Sequence, residues 1–226
     1  MHQTVIELLE ANADHAEQFQ SRFGDVQDSQ HPAVVTVCCS DSRVLQDAMW
    51  NNDEPGHLFT CSNIGNRVVQ RTDAGEVVSG DVLYPIAHTG TDTAVIVGHT
   101  GCGAVTATYD ALTDGLSDSP GIEHCIDLLA PRLESGVEAL PADLDRDEAI
   151  NRLVEYNVDR QVELLRESED VPEETTVVGV VYDFQDVYGD RRGEVHVVNV
   201  GGERDAETLR EEHPEIDSRI ARLWEY

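Results

Sequence analysis

Two short runs of apolar residues end in side chains that bind metals, and this pairing constrains the fold more than any other feature. Residues 34–37 lead into Cys39, and residues 93–98 lead into His99 and, three positions later, Cys102. Both runs are rich in β-branched residues, which is typical of buried strands. Open α/β sheets bind their ligands at the carboxyl ends of parallel strands. The sequence therefore predicts an α/β fold with a site at one edge of its sheet.

These side chains form a Cys2His set, the kind of ligand group that holds a catalytic zinc with its fourth position open. Only the spacing from His99 to Cys102 is short, so folding must bring Cys39 to the pair. A zinc knuckle or ribbon would show paired short spacings instead. The alternative interpretation is that these are buried core thiols, but two matching strand-end contexts favour a metal centre.

The remaining apolar periodicity alternates between strands and helices. Strand, helix and strand in succession imply a parallel sheet with right-handed crossovers. We expect a mostly parallel central sheet of four to five strands flanked by helices, in one domain over residues 1–226, with an amino-terminal helical arm at 1–24 and an acidic helical tail at 203–226. Helices are predicted at 3–22, 44–50, 73–88, 104–112, 122–134 and 145–166. Further strands are predicted at 57–61, 175–182 and 194–200, the last two joined as a hairpin.

The motif Cys-Ser-Asp-Ser-Arg at residues 39–43, followed by Gly-His-Thr-Gly-Cys-Gly at residues 98–103, resembles the signature of the β-class carbonic anhydrases. The resemblance extends over residues 25–200. It implies the fold of that family and a Zn²⁺ cofactor on the Cys2His set. It also implies a carbonate dehydratase, a zinc lyase that reversibly hydrates carbon dioxide to bicarbonate and a proton by zinc-bound hydroxide. The assembly that it implies is a homodimer or a dimer of dimers.

The resemblance also assigns roles to residues near the metal. Asp41 and Arg43 are expected to be catalytic, since Arg43 can hold the Asp41 carboxylate by a bidentate contact and let it accept a hydrogen bond from zinc-bound water. If that contact breaks, Asp41 could become the fourth zinc ligand and close the site. Gln30 and Tyr84 resemble residues of a substrate pocket and are of the kind contributed across a dimer interface. Gly103 is a further candidate for the pocket, because it could offer its N–H to a substrate oxygen.

Three positions depart from the family pattern. Members with a bicarbonate pocket away from the metal carry Arg, Trp and Gly where this chain has Ser62, Thr36 and Cys38. The resemblance therefore does not extend to bicarbonate inhibition of that kind, and we expect a site that is open at neutral pH. Two other functions remain as alternatives. One is hydrolysis of carbon disulfide or carbonyl sulfide by the same fold, and the other is a zinc-binding sensor or assembly protein without turnover.

The chain is strongly acidic, with 45 Asp and Glu, 15 Arg, no Lys and a formal net charge of -30. Such a field repels nucleic acid and anionic membranes, and no apolar run approaches the ~20 residues of a membrane span. A lysine-free acidic surface indicates a haloarchaeal-like, halophilic protein. Molar salt shortens the Debye length to about 3 Å and so screens the repulsion between the acidic side chains. An ordinary acidic protein is the alternative. Five cysteines fit a reducing compartment, and no signal sequence is evident, so we expect a cytoplasmic protein.

Overall fold

Strands and helices alternate through residues 2–115 and 117–224, the part of the chain that this computed structural model describes. The strands are β1 Val34–Cys39, β2 Leu58–Asn63, β3 Val69–Thr72, β4 Gly75–Val78, β5 Thr93–His99, β6 Thr176–Asp183 and β7 Glu194–Val200. The α-helices are α1 Gln3–Phe19, α2 Gln46–Met49, α3 Gly80–His88, α4 Gly103–Thr113, α5 Pro120–Ala139, α6 Arg146–Arg166 and α7 Ala206–Glu212. Short 3-10 helices follow α1 and α7, at Gln20–Phe23 and Pro214–Arg219.

The central sheet has five strands in the order β2-β1-β5-β6-β7. Its first four strands are parallel to their neighbours, and β7 is antiparallel to β6. Cys39 pairs with Asn63 at the end of β2, and His99 pairs with Tyr182 near the end of β6. The predicted mostly parallel sheet and the β6–β7 hairpin are confirmed. The carboxyl ends of β1 and β5 lie at the same edge.

Helix α6 lies close against β5 and β6 because a residue of each strand has no side chain. A Cβ added at Gly98 would lie 2.7 Å from Cγ2 of Val158, and one added at Gly179 would lie 2.6 Å from Cγ1 of the same valine. Val158 is fully buried, so neither contact could be relieved by moving it into solvent. The side chain of Asp145 caps the start of α6 by accepting a hydrogen bond from the Glu148 N–H at 2.9 Å. The helix is therefore near enough for its polar side chains to reach the loops at the sheet edge.

The opposite face of the sheet is less well covered. Cys38, Val97 and Val180 are buried there, and the partly buried Met49 and Trp50 pack on them. Helix α1 buries none of its residues. It exposes four aliphatic side chains, Val5, Ile6, Leu8 and Leu9. Two apolar surfaces, one on the sheet and one on α1, are thus left open in a single chain.

The predicted helix over residues 73–88 is wrong in its first half. Strands β3 and β4 form an antiparallel hairpin there, in which Arg71 Nη2 lies 3.0 Å from Glu76 Oε1. Gly75 lies next to the turn with a φ of +104°, a backbone conformation that glycine adopts without a Cβ penalty. Helix α3 begins only after Ser79, whose hydroxyl caps it. The apolar residues that suggested one helix therefore belong to two elements, the strand β4 and the helix α3.

The other predicted helices lie where they were expected, with different ends. Helix α5 continues past the predicted end at residue 134 to Ala139, and in this last part Gly136 packs against the Tyr156 ring, which would lie 2.7 Å from a Cβ there. Helix α7 and a 3-10 helix occupy part of the predicted tail. Residue 1 of the predicted arm and residues 225–226 of the tail lie outside the described residues. Among the described helices, none combines the length and the apolar character that crossing a membrane requires.

Candidate metal centre

Three side chains from β1, β5 and the turn before α4 meet at the carboxyl edge of the sheet. The Sγ atoms of Cys39 and Cys102 and a ring nitrogen of His99 all lie within 4.8 Å of one another, and the three residues are buried. The two sulfur atoms are 3.8 Å apart. Two thiols and an imidazole at these separations suit a tetrahedral zinc ion that keeps one position for another ligand. The fold thus brings together the three residues that the sequence predicted as ligands.

The imidazole of His99 is oriented by the backbone that follows it. Its Nδ1 lies 3.0 Å from the Thr100 carbonyl oxygen, and because a carbonyl only accepts, Nδ1 carries the proton. Nε2 therefore presents a lone pair, and this buried atom has no hydrogen-bond partner among the described residues. Buried polar atoms without partners are uncommon in folded proteins. A metal ion beside the two thiols would satisfy this nitrogen.

The two thiols differ in how readily they ionise. A hydrogen bond from Cys102 Sγ is the main cause that lowers the pKa of Cys39 to about 5. The same contact, together with burial, raises the pKa of Cys102 well above its ordinary value. Cys39 Sγ also accepts a hydrogen bond from the Gly65 N–H at 3.4 Å. Cys102 precedes the first residue of α4, where unpaired helix N–H groups favour negative charge, so both sulfurs have support as thiolate ligands.

Arg43 holds the Asp41 carboxylate by a bidentate contact. Its Nε and Nη2 donate to Oδ1 and Oδ2 of Asp41 at 2.8 and 2.7 Å, and its backbone N–H donates to Oδ1 at 2.9 Å. These bonds from the guanidinium hold the pKa of Asp41 well below its usual range. Asp41 Oδ2 lies 3.7 Å from His99 Nε2. Asp41 is nevertheless not close enough to all three of Cys39, His99 and Cys102, the ligand group, to be counted with them. An ionised carboxylate thus stands beside the ligand group while bound to Arg43.

Two further residues hold Arg43 in place, and neither was predicted to do so. The Arg43 guanidinium carbon lies 4.6 Å from the ring centroid of Phe184, a cation–π contact, and Nη2 donates to the Gly101 carbonyl at 3.2 Å. The Phe184 ring also stacks on His99, with 5.8 Å between the centroids. Phe184 directly follows β6, so its position after another strand at the same edge is the signal that could have identified it.

The three residues expected in a substrate pocket lie in different surroundings. Gln30 is exposed in the loop before β1, and Tyr84 on α3 is 49% exposed with its ring 5.3 Å from that of His88. No hydrogen bond or ring contact joins either of them to the ligand group within residues 2–115 and 117–224. Gly103 is bonded to Cys102 and begins α4, and the space where its Cβ would be is open. All three remain predictions for the substrate pocket.

The other cysteines are not part of the ligand group. Burial is the main cause that raises the pKa values of Cys38 and Cys61 to about 12. Cys61 Sγ donates to the Asp81 carbonyl at 3.2 Å, and Cys125 Sγ accepts from Arg67 Nη2 at 3.7 Å. Their environments therefore favour the neutral thiol of Cys38 and Cys61 over a thiolate ligand.

At two of the positions that depart from the family pattern, hydroxyl groups replace larger side chains. Ser62 Oγ lies 3.1 Å from Ser40 Oγ and accepts a hydrogen bond from Gln46 Nε2 at 3.0 Å. Thr36 is buried, and its Oγ1 has no hydrogen-bond partner in the described part of the chain. Ser62 thus supplies a neutral hydroxyl where the family pattern has a guanidinium that can bind an anion.

The fold and the ligand group define an α/β protein with a buried Cys2His centre at the carboxyl edge of a mostly parallel sheet. The family model described as carbonic anhydrase matches residues 34–194, a range that contains all three ligand candidates. The chain belongs to the β-carbonic anhydrase family, whose members are zinc enzymes.

The relatives that the chain matches include bacterial and fungal proteins. The carbonic anhydrase of Helicobacter pylori strain J99 is 30% identical over 128 residues, which are 54% of this chain and 57% of that protein. The chain thus spans little more than half the length of this curated relative. A β-carbonic anhydrase from a study of two tetrameric enzymes of Sordaria macrospora has a TM-score of 0.70 at 24% identity, covering 88% of this chain and 98% of that one. One from Aspergillus fumigatus has a TM-score of 0.69 at 25% identity, covering 96% and 97%. The likeness in fold therefore extends well beyond residues 34–194.

Proposed function

We propose that this chain is a zinc-dependent carbonic anhydrase that interconverts carbon dioxide with bicarbonate and a proton. The observation that carries the proposal is the buried Nε2 of His99, which has no hydrogen-bond partner in the part of the chain that the structure describes and lies beside the sulfurs of Cys39 and Cys102. Membership of the β-carbonic anhydrase family supports the same activity. The ion pair of Asp41 and Arg43 supports turnover, since a purely structural metal would need neither residue next to its ligands.

Cys39, His99 and Cys102 would hold Zn²⁺. When bound, the ion would supply a water acidic enough, with a pKa of about 7, to provide a nucleophile for carbon dioxide near neutral pH. The protein's own contribution is orientation and charge. The Thr100 carbonyl fixes the imidazole tautomer, and the Gly65 N–H stabilises negative charge on Cys39.

Asp41 would act as a fixed hydrogen-bond acceptor in the site. Both of its oxygens are bound by Arg43, and Oδ2 faces His99 Nε2 at 3.7 Å. A water that enters beside these atoms can donate one hydrogen to Oδ2, which turns its lone pair towards the substrate. Because Phe184 and the Gly101 carbonyl hold Arg43, we infer that Asp41 stays bound to Arg43 and the site is open at neutral pH.

The activity can be tested by stopped-flow hydration of carbon dioxide in molar KCl at mildly alkaline pH, with metal content measured on the same samples. Cys102→Ser removes one ligand, and Cys125→Ser is its matched control, because Cys125 is a thiol outside the ligand group. We expect turnover that follows zinc content, that is lost in Cys102→Ser and that is retained in Cys125→Ser.

Two other outcomes would overturn the proposal. Bound zinc with hydrolysis of carbon disulfide or carbonyl sulfide, and no hydration of carbon dioxide, would identify a different hydrolase of the same fold. Bound zinc without any of these activities would identify a zinc-binding protein that has lost turnover. Gln30, Tyr84 and Gly103 remain candidates for the pocket, and alanine variants of Gln30 and Tyr84 would show whether they affect KM for carbon dioxide.

We also propose that the protein is a homodimer or a dimer of dimers. On the sheet face beside Cys38, Val97 and Val180, the surrounding valines are only partly buried in one chain, and α1 presents exposed aliphatic residues without burying any. Apolar surfaces of this kind favour association, so α1 of one chain would pack on the partner chain. The five cysteines are all free, which supports a reducing, cytoplasmic location, and the net charge of -30 supports adaptation to high salt.

A further inference from the structure

The loop between β2 and β3 supplies a backbone N–H to one of the ligand thiols. This is the Gly65 N–H, which donates to Cys39 Sγ at 3.4 Å. Gly65 has a φ of +80°, and the next residue, Asn66, has a φ of +44°. A left-handed conformation at Asn66, directly after the one at Gly65, carries a cost for a residue with a Cβ, so the shape of this loop has to be maintained by contacts.

Two buried amides of α6 provide those contacts. Asn157 Nδ2 donates to the Gly65 carbonyl and to Asn66 Oδ1, both at 3.1 Å. Gln161 accepts from the Val68 N–H at 2.9 Å, and its Nε2 donates to Asn157 Oδ1 at 3.1 Å. Asn157 is 1% exposed and Gln161 is fully buried. The two side chains lie one helical turn apart and form a continuous chain of hydrogen bonds to the loop.

The far end of the loop is held separately. Asn63 exchanges hydrogen bonds with the backbone of Arg67, at 2.7 Å to its N–H and 2.9 Å to its carbonyl. In the described residues, Asn157 is the side chain that donates to the Gly65 carbonyl. The Ile64 carbonyl, in the same peptide group as the Gly65 N–H, accepts from Arg67 Nε at 2.9 Å. Asn157 fixes the peptide group on the other side of the Gly65 Cα, so the two contacts together restrict the rotation that aims the N–H at the sulfur.

We propose that Asn157 and Gln161 are positioning residues for the metal ligand Cys39, through the backbone on either side of the Gly65 Cα. This inference rests on the proposed function, because it takes Cys39 as a ligand. A hydrogen bond from an N–H group stabilises the sulfur lone pair and so sets how strongly the thiolate donates to the metal. Groups that orient ligands from outside the coordination sphere typically change metal affinity by about 10–100-fold when they are removed. A residue that merely fills the core would affect stability and leave the metal unchanged.

The variant Asn157→Leu tests this inference, with Asn199→Leu as the matched control. Asn199 is also a buried amide with two partners, since it donates to Asp159 Oδ1 at 2.7 Å and accepts from the Gly202 N–H at 2.8 Å. Its partners are not part of the ligand group. Zinc affinity would be measured by competition with a chelator, and the thiolate-to-metal charge-transfer band would be recorded after cobalt substitution. Urea unfolding in molar KCl would give the stability of each variant.

We expect Asn157→Leu to weaken zinc binding about tenfold or more, the lower end of the range for such groups, and to move the cobalt charge-transfer band to longer wavelength. Asn199→Leu should lose stability with both metal readouts unchanged. The inference would be overturned if Asn157→Leu kept the wild-type band and zinc affinity while losing stability.

If Asn157→Leu does not fold, Gln161→Met provides the same comparison. It keeps the size of the side chain, removes the acceptor for the Val68 N–H and removes the donor to Asn157, and its expected and contradicting results are the same. A wild-type protein that bound neither zinc nor cobalt would overturn both proposals. A wild-type protein that binds metal but does not hydrate carbon dioxide would overturn the proposed activity alone, because these readouts do not depend on turnover.

Discussion

Replacing Gly65 by alanine should lower the free energy of unfolding by about 2–5 kcal/mol, the sum of a backbone cost and a packing cost. The φ of +80° lies in the left-handed region, which costs a residue with a Cβ about 1–2 kcal/mol. The added Cβ would lie 2.4 Å from Leu129 Cδ1 and 3.1 Å from Cδ2. Leu129 is fully buried and cannot swing into solvent, so overpacking adds about 1–3 kcal/mol.

Urea unfolding in molar KCl would measure this loss, with Gly75→Ala as the matched control. Gly75 also has a positive φ, +104°, but a Cβ there would meet nothing within 4 Å. The control shares the backbone cost without the collision and should lose less. The double variant Gly65→Ala, Leu129→Ala separates the two terms, because truncating Leu129 removes the collision and should return about 1–3 kcal/mol relative to the sum of the single variants.

Equal losses for Gly65→Ala and Gly75→Ala, or additive effects in the double variant, would refute the packing argument. The metal site provides a second readout. Because the Gly65 N–H donates to Cys39 Sγ, Gly65→Ala should also weaken zinc binding, whereas Gly75→Ala should leave zinc binding unchanged.

The remaining predictions concern pH, salt and assembly. Burial lowers the pKa of His196 in the folded chain below its ordinary 6.5. Between the folded pKa and 6.5, the unfolded chain therefore binds more protons than the folded chain. The free energy of unfolding should fall as the pH falls through this window. His196→Gln should flatten that part of the profile of unfolding free energy against pH, and an unchanged slope would contradict the assignment. Transfer from molar KCl to dilute buffer should destabilise a chain of net charge -30, because the Debye length grows from about 3 Å to about 10 Å at 0.1 M salt; equal urea midpoints in both buffers would refute this. Leu8→Asp on α1 should reduce the dimer fraction in light scattering, with Glu7→Gln as control, and an unchanged mass would count against α1 as the contact.

The proximity of Cys39, His99 and Cys102 could be predicted from the sequence because its signal is local. Each candidate follows a run of β-branched residues, and parallel strands that end at one edge must bring such residues near one another. The hairpin of β3 and β4 could not be predicted in this way. Its apolar residues continue at helical spacing into α3. The hairpin and the helix are separated by the turn beside Gly75 and the cap at Ser79. Each of these signals is only one or two residues long, so a search for apolar spacing over a longer window does not detect it.

The polar residues of α6 show a different limit of sequence analysis. Glu155, Asn157, Asp159 and Gln161 are all at most 1% exposed, although polar residues on a helix ordinarily face solvent. Apolar spacing identifies the face that packs on the sheet but not the polar side chains that are buried beside it. Which loop each of them binds depends on contacts across the chain, such as the bond between Gln161 and the Val68 N–H.

Two polar side chains of α6 accept hydrogen bonds from backbone N–H groups of other segments. The Gly101 N–H turns inward between His99 and Cys102 and is bound by Asn151 Oδ1 at 2.9 Å, and Glu155 accepts from the backbone of Leu223 at 2.7 Å. A buried N–H without a partner costs about 1–3 kcal/mol, so Asn151 and Glu155 stabilise the backbone N–H groups from which they accept hydrogen bonds.

Such bonds hold only at one distance between α6 and the sheet, and Gly98 and Gly179 set that distance together. A Cβ at Gly98 would lie 2.7 Å from Val158 Cγ2 and 2.9 Å from Val154 Cγ1, so Gly98→Ala must move the helix or the strand. We therefore expect Gly98→Ala to lower both the free energy of unfolding and the zinc affinity, whereas Gly189→Ala, which has open space around its Cβ position, should change neither. A Gly98→Ala protein that loses stability but binds zinc as tightly as the wild type would show that the ligand group does not depend on how closely α6 packs.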